Sequence, residues 1–178
     1  MGAGGRALLA SLCVAAAGCG GGHESATPPA PAVPASIALS SPALGTTVPR
    51  RFTCDGAGGS PPLRWSGAPA PARELVLVVQ DPDAPGGTFV HWTGFGIPAA
   101  PSGTIPAGAH LRSGRNSTGH VGWTPPCPPK GDTPHRYEFS LYALRKPSGL
   151  AVGAEPADVR AALTGALARG RFTARYGR

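Results

Sequence analysis

Apolar and polar positions along this chain follow the two-residue period of a strand more often than the period of a helix. Residues 75–79, Leu-Val-Leu-Val-Val, are an unbroken apolar run. A run of that length bounded by turn residues predicts a strand buried on both faces. It stops at Asp81-Pro82-Asp83-Ala84-Pro85, where two prolines withhold backbone donors and impose a turn. A second strand is expected from Thr88, with His91 in its middle. Over 135–144 the alternation is strict. His135, Tyr137, Phe139, Leu141 and Ala143 share one face; Arg136, Glu138, Ser140 and Tyr142 share the other. Shorter strands are expected over 36–40, over 47–53 with a break at Pro49, and over 62–65, with Cys54-Asp55-Gly56 as a turn. The period changes once. Over 156–168, Val159, Ala162, Leu163, Ala166 and Leu167 recur at helical spacing, with Pro156 suited to a first turn and Gly170 to a stop. Residues 171–176 then read as a short final strand. Between 96 and 134 glycine and proline are dense and no period holds. A compact domain carries so long an irregular stretch where it lines something.

Composition agrees with a mainly β protein. The chain has 178 residues, enough for one domain, with 14% charged residues, 27 glycines and 22 prolines. The formal charge is +7, but the basic residues stand singly, without the aromatic interleaving of a nucleic-acid binder, so no nucleic-acid partner is expected. The N-terminus changes the picture more. Arg6 precedes an apolar run over 7–17, too short to span a bilayer and suited to the hydrophobic region of a secretory signal. It ends in Ala16-Ala17-Gly18-Cys19, which resembles the lipobox of bacterial lipoproteins. The organisation expected is a signal peptide at 1–18, lipidation at Cys19, a proline- and glycine-rich tether over 19–35, and a folded domain over 36–178. An ordinary cleaved signal with an incidental cysteine is the alternative. The implied location is the cell envelope, exported and membrane-anchored. With Cys13 in the leader, Cys54 and Cys127 remain as an even pair in a compartment that permits disulfides. Sequence does not show that they meet, and two isolated cysteines lack the spacing of a structural zinc site.

The candidate chemistry lies at strand ends and on strand faces. Asp81, His91, His135 and Tyr137 offer a carboxyl, two imidazoles and a phenol, mainly hydrogen-bond donors once the imidazoles are protonated. Cys127-Pro128-Pro129-Lys130-Gly131 would add a stiff rim. Such a set suits a small anion, a phosphate monoester above all. Asp81 can equally cap its own Asp-Pro-Asp turn. No Gly-x-Ser-x-Gly, His-Glu-x-x-His or phosphate-loop motif is present, and the expectation is binding without catalysis, cofactor or metal. Two alternatives stand beside it: an inhibitor module for a secreted hydrolase or other protein partner, and a metal-dependent enzyme using Asp81, His91 and His135.

Several of these motifs in order resemble the phosphatidylethanolamine-binding protein family. They are Asp81-Pro-Asp-Ala-Pro85, His91-Trp92, Cys127-Pro-Pro-Lys-Gly131 and His135-Arg-Tyr137. Cys54-Asp55-Gly56, Ser60-Pro-Pro-Leu-Arg-Trp65 and the closing Tyr176-Gly177 are similar to its bacterial Raf-kinase-inhibitor-like branch. The resemblance covers roughly 36–178. It implies a mainly β fold with a large central antiparallel sheet, a smaller second sheet and a C-terminal helix. It also implies an anion pocket of the phospholipid-headgroup type at Asp81, His91, Pro129, His135 and Tyr137. The chain departs from the family pattern before Cys127, where Gly122-Trp123-Thr124-Pro125-Pro126 stands in place of Gly-Tyr-x-Gly-Pro. Pro125 supplies no N–H and cannot take positive φ, and Trp123 lacks the tyrosine hydroxyl.

Overall fold

A computed structural model describes Met1 and residues 35–178. Apart from Met1, the expected signal peptide lies outside the described residues, as do Cys19 and all but the last residue of the tether. The elements are β1 (Ala35–Ser36), β2 (Ala38–Ser40), β3 (Leu63–Ser66), β4 (Glu74–Asp81), β5 (Phe89–Pro98), β6 (Ser102–Ile105), β7 (Arg112–Ser113), β8 (His135–Leu144), α1 (Pro156–Ala162) and β9 (Ala168–Tyr176). They form a six-stranded sheet in the order β1-β9-β8-β4-β5-β7 and a three-stranded sheet in the order β2-β3-β6. The pairings are antiparallel except that of β1 with β9, which is parallel.

The unbroken apolar run of β4 is explained by its place in the middle of the large sheet, paired to β5 and β8. Leu75, Leu77 and Val79 face the smaller sheet and pack in one core with Leu63, Trp65, Phe139 and Leu141. Val76 and Val78 face the other way, into a second core with Phe95, Leu144 and Val159 of α1. A central strand with a sheet on one face and a helix on the other has no polar side to show. Residues 35–178 hold both core clusters and lie within one compact unit, so this segment carries its own fold.

Several expectations need correction. Residues 47–53 do not form a strand. Thr47 makes a single bridge to Arg175, and after Pro49 the chain turns into one 3-10 turn over Arg50–Phe52. Pro49 has no N–H to give a ladder and a φ of −60°, which suits entry into that turn. The helix is shorter than its apolar period, ending at Ala162. The chain then turns through Gly165 at φ 76°, and Leu167 donates its N–H to Ala143 as the final strand begins. Gly170 is therefore not a helix stop but an interior residue of β9, opposite Leu141. The stretch over 96–134 contains the end of β5 and all of β6 and β7. The expected strand at 36–40 is divided at Ile37 between the two sheets, and Ala35, placed by sequence in the tether, already pairs with Ala168.

That division explains Gly170. The chain crosses from one sheet to the other at Ile37, and a Cβ on Gly170 would stand 2.3 Å from the Ile37 carbonyl oxygen. Backbone passes where any side chain would collide. Gly170→Ala is expected to destabilise by about 1–3 kcal/mol, as overpacking does, lowering the melting temperature by about 2–4 °C per kcal/mol. Gly45→Ala, whose Cβ would meet nothing within 4 Å, should melt at or above wild type.

Candidate functional site

The site is set by the meeting of β4 and β8. Gln80 of β4 lies opposite Glu138 of β8 in an antiparallel pair, so the acids leaving β4 arrive beside the residues entering β8. Asp81 uses both carboxylate oxygens. Its Oδ1 accepts the Asp83 N–H at 2.8 Å, and its Oδ2 accepts His135 Nδ1–H at 2.7 Å. The turn cap and the histidine partner are thus one residue. Asp83 does the same one position along. Its Oδ2 accepts the Arg136 backbone N–H at 2.8 Å and Nε–H at 2.9 Å, and its Oδ1 accepts Nη2–H at 2.6 Å. Those Arg136 hydrogen bonds hold the Asp83 carboxyl down at about 2, against partial burial that pulls the other way. Two successive acids clamp two successive residues of β8.

His135 is thereby fixed as the Nδ1–H tautomer when neutral, with Nε2 left over and the Asp132 carboxylate 3.7 Å from it. His91 is held in the same sense. Its Nδ1–H donates to the Thr124 carbonyl at 2.8 Å, and its ring is wedged between Phe89 and Tyr137, with centroids 4.7 and 5.2 Å away. Burial pushes the His91 imidazole below its ordinary value, opposed by the Thr124 carbonyl and the Asp81 charge. Tyr137 is 1% exposed, and its hydroxyl is among the two buried side-chain polar atoms without a partner among the described residues. Burial, aided by the Asp81 charge, pushes the phenol well above its ordinary range, so it is a donor at every relevant pH.

Asp81, His91, Pro129, His135 and Tyr137 all line one cavity of about 320 Å³, and the expected residues are all brought together. The structure adds Phe89, Thr118, Thr124 and Pro125 to the wall. Asn116 is a residue the sequence reading did not use for the site. Buried at the base of the adjoining loop, it donates to the Gly122 carbonyl and to Thr124 Oγ1, both at 3.0 Å, and accepts from the Thr118 N–H and hydroxyl. This loop is clipped to β5 where the Val90 N–H donates to Ser117 Oγ at 2.8 Å. Asn116 thus places the very carbonyl-bearing residue that orients His91.

The rim is anchored from outside. A disulfide joins Cys54 to Cys127 across 73 residues, and the Cys54 N–H donates to Pro126. Next to it, Asp55 accepts from the Tyr176 hydroxyl and from Arg178 Nε and Nη2, contacts that lower its carboxyl against some desolvation. The two departures from the family pattern are both accommodated. Trp123 donates its indole N–H to the Gly58 carbonyl at 2.8 Å, and the Pro125 ring lies beside Gly58. A larger cavity of about 440 Å³ is walled by Trp92, Trp123 and Leu111, with His110 its only titratable side chain. Among the described residues no three His, Cys, Asp or Glu side chains are grouped to hold a metal ion. The Nδ1 atoms of both histidines are already engaged as donors.

Comparison with known proteins covers almost the whole described domain. The family model described as phosphatidylethanolamine-binding protein matches residues 39–177. A Mycobacterium tuberculosis protein named "Putative lipoprotein LppC" is 44% identical, the match covering 89% of each chain. A UPF0098 protein of Pyrococcus horikoshii is 36% identical, over 89% of this chain and 80% of its own. Among solved structures, a phosphatidylethanolamine-binding protein homolog from Chlamydia trachomatis superposes with a TM-score of 0.74 at 33% identity, covering 80% of this chain and 98% of that one. YbcL of E. coli, described as a member of the mammalian family, also gives 0.74, at 31% identity over 81% and 99%.

Removing the rim's covalent tie tests how far it supports the domain. The double variant Cys54→Ser with Cys127→Ser opens a long loop, and the chain-entropy relation puts the loss at about 4 kcal/mol. Urea unfolding with and without reductant should reproduce that difference in the wild type and show none in the variant.

Proposed function

The chain belongs to the phosphatidylethanolamine-binding protein family, and from that premise we propose that its cavity holds a small anionic or phosphorylated group without transforming it. One observation carries the reading: Tyr137, whose buried hydroxyl has no partner among the described residues, lines the same cavity as His91 and His135. An unpaired buried hydroxyl costs about 1–3 kcal/mol, which a ligand oxygen would recover. With Nδ1 engaged, each imidazole has Nε2 left over, that of His135 lying 3.7 Å from the Asp132 carboxylate, and each Nε2 becomes a donor on protonation. Both oxygens of Asp81 are already taken as acceptors, and its negative charge is offset where His135 carries a proton. Nothing in the wall is arranged as an activated nucleophile. The Thr118 hydroxyl donates to Asn116, and the Thr124 hydroxyl accepts from it. Export and a lipid anchor at Cys19 are part of the same proposal. They are supported by the apolar run over 7–17 and the small residues before Cys19, and the lipoprotein name of the mycobacterial relative points the same way.

Titration calorimetry with phosphoethanolamine tests the pocket. Saturable binding is expected, weakened at least tenfold by His91→Ala and about tenfold by Tyr137→Phe, as loss of a hydrogen bond to a charged group implies. Affinity unchanged in both folded variants would remove the assignment of this cavity. The pH dependence has a definite sign. His91 is depressed when the pocket is empty, so a phosphate that favours its charged form must draw in a proton. Affinity should rise as pH falls from about 8 to about 6.5, toward the ordinary histidine value, with proton uptake visible in buffers of different ionisation heat. Without ligand, the same depression means that the unfolded chain binds the extra proton. Stability should therefore fall as pH drops below about 6.5.

A further inference from the structure

The basic residues that stand singly in sequence are gathered by strand alternation onto one face. On β9, Ala168, Gly170 and Ala174 are buried, while Arg169, Arg171, Thr173 and Arg175 are exposed. Their partners on β8 are Tyr142, Ser140, Glu138 and Arg136, the face opposite the one that carries His135 and Tyr137. The arginines are laid against the sheet rather than left loose. Arg169 lies over the Tyr142 ring at 5.0 Å and donates to Ser140 Oγ at 2.8 Å. Arg171 reaches Glu138 at 3.5 Å. Exposed Arg160 of α1 borders Tyr142 as well. Along β8 and the turn after β4 the acids on this side are Glu138 and Asp83, and Asp83 is paired with Arg136. On the paired strands themselves, Arg169, Arg171 and Arg175 therefore stand against one carboxylate, Glu138, whose side chain is 14% exposed where that of Arg171 is 53% exposed. At the rise of a strand, Arg169 and Arg175 lie about 20 Å apart.

We propose that this exposed face of β8 and β9 docks on an anionic lipid surface. Charge complementarity argues for an anionic partner, since a row of exposed guanidinium groups attracts an acidic surface. Two features argue for lipid. The face has no free aromatic ring on which bases could stack, because Tyr142 lies beneath Arg169. And β1 pairs with β9 at Ala168 and Arg169, so the segment 19–34 joins the domain at the edge of this same face. The inference uses residues that do not line the cavity and does not require Cys19 to carry a lipid.

The test is co-sedimentation of residues 35–178, which lack the apolar leader, with vesicles of phosphatidylcholine alone or mixed with phosphatidylglycerol. Binding is expected to the mixed vesicles only and should weaken as salt is raised. Each of Arg169→Gln, Arg171→Gln and Arg175→Gln should lower the partition coefficient about fivefold, and the three together by about two orders of magnitude. The triple change to lysine should retain binding, with thermal melting confirming the fold of every variant. Equal binding to neutral vesicles, no binding to either, or wild-type affinity in the folded glutamine variants would overturn the proposal. Tighter binding to duplex DNA than to the mixed vesicles would also overturn it, in favour of a nucleic-acid face.

Discussion

The contact on which the rest depends is the double clamp at the end of β4. Asp81 takes His135 and Asp83 takes Arg136, so two neighbouring carboxylates seize two neighbouring residues of β8 from opposite faces of that strand. The inward contact orients a ring in the cavity. The outward one neutralises a charge at the margin of the basic face. Because β8 lies between β4 and β9, fixing its first two residues also sets the register that places Tyr137 beneath His91 and Arg175 beside Arg136. Pro82, the one residue between the two acids, makes the clamp rigid, since that link has few conformations to lose.

Much of this was legible where side-chain period and burial coincide. The alternation over 135–144 matches the observed strand in its bounds and in its buried face, because a strand with one face in the core must show period two. The apolar run of β4 was legible for the complementary reason. The misread elements share a cause: a long-range partner overrode the local signal. Gly170 looked like a helix stop, since nothing nearby in sequence says that the Ile37 carbonyl will cross above it. The helix ended early because Leu167, apolar and helically spaced, gives its N–H to Ala143 instead, and Ala168 after it opens β9. Pro49 was read as a flaw in a strand when it was the entry to a turn.

The cavity residues were legible as types at strand ends, and the fold brings them together. What could not be read was the shell behind them. Asn116 holds Thr124, and the Thr124 carbonyl holds His91, but a carbonyl's role leaves no mark on residue type. The basic face was hidden differently. Arg136, Arg160, Arg169, Arg171 and Arg175 form no run, and only the pairing of β8 with β9, with α1 alongside, makes them neighbours.

The place of β9 has a consequence for the order of events. The last strand of the chain lies between β1 and β8, pairing with the first described residues on one side and with His135 to Ala143 on the other. The large sheet cannot close until residues 168–176 are present, and the rim waits on residue 127 for its tie to residue 54. Such a topology forms through contacts distant in sequence and folds slowly for that reason. A chain emerging N-terminus first therefore keeps β1 and the outer edge of β8 unpaired until residues 168–176 arrive, an open edge in an otherwise paired sheet.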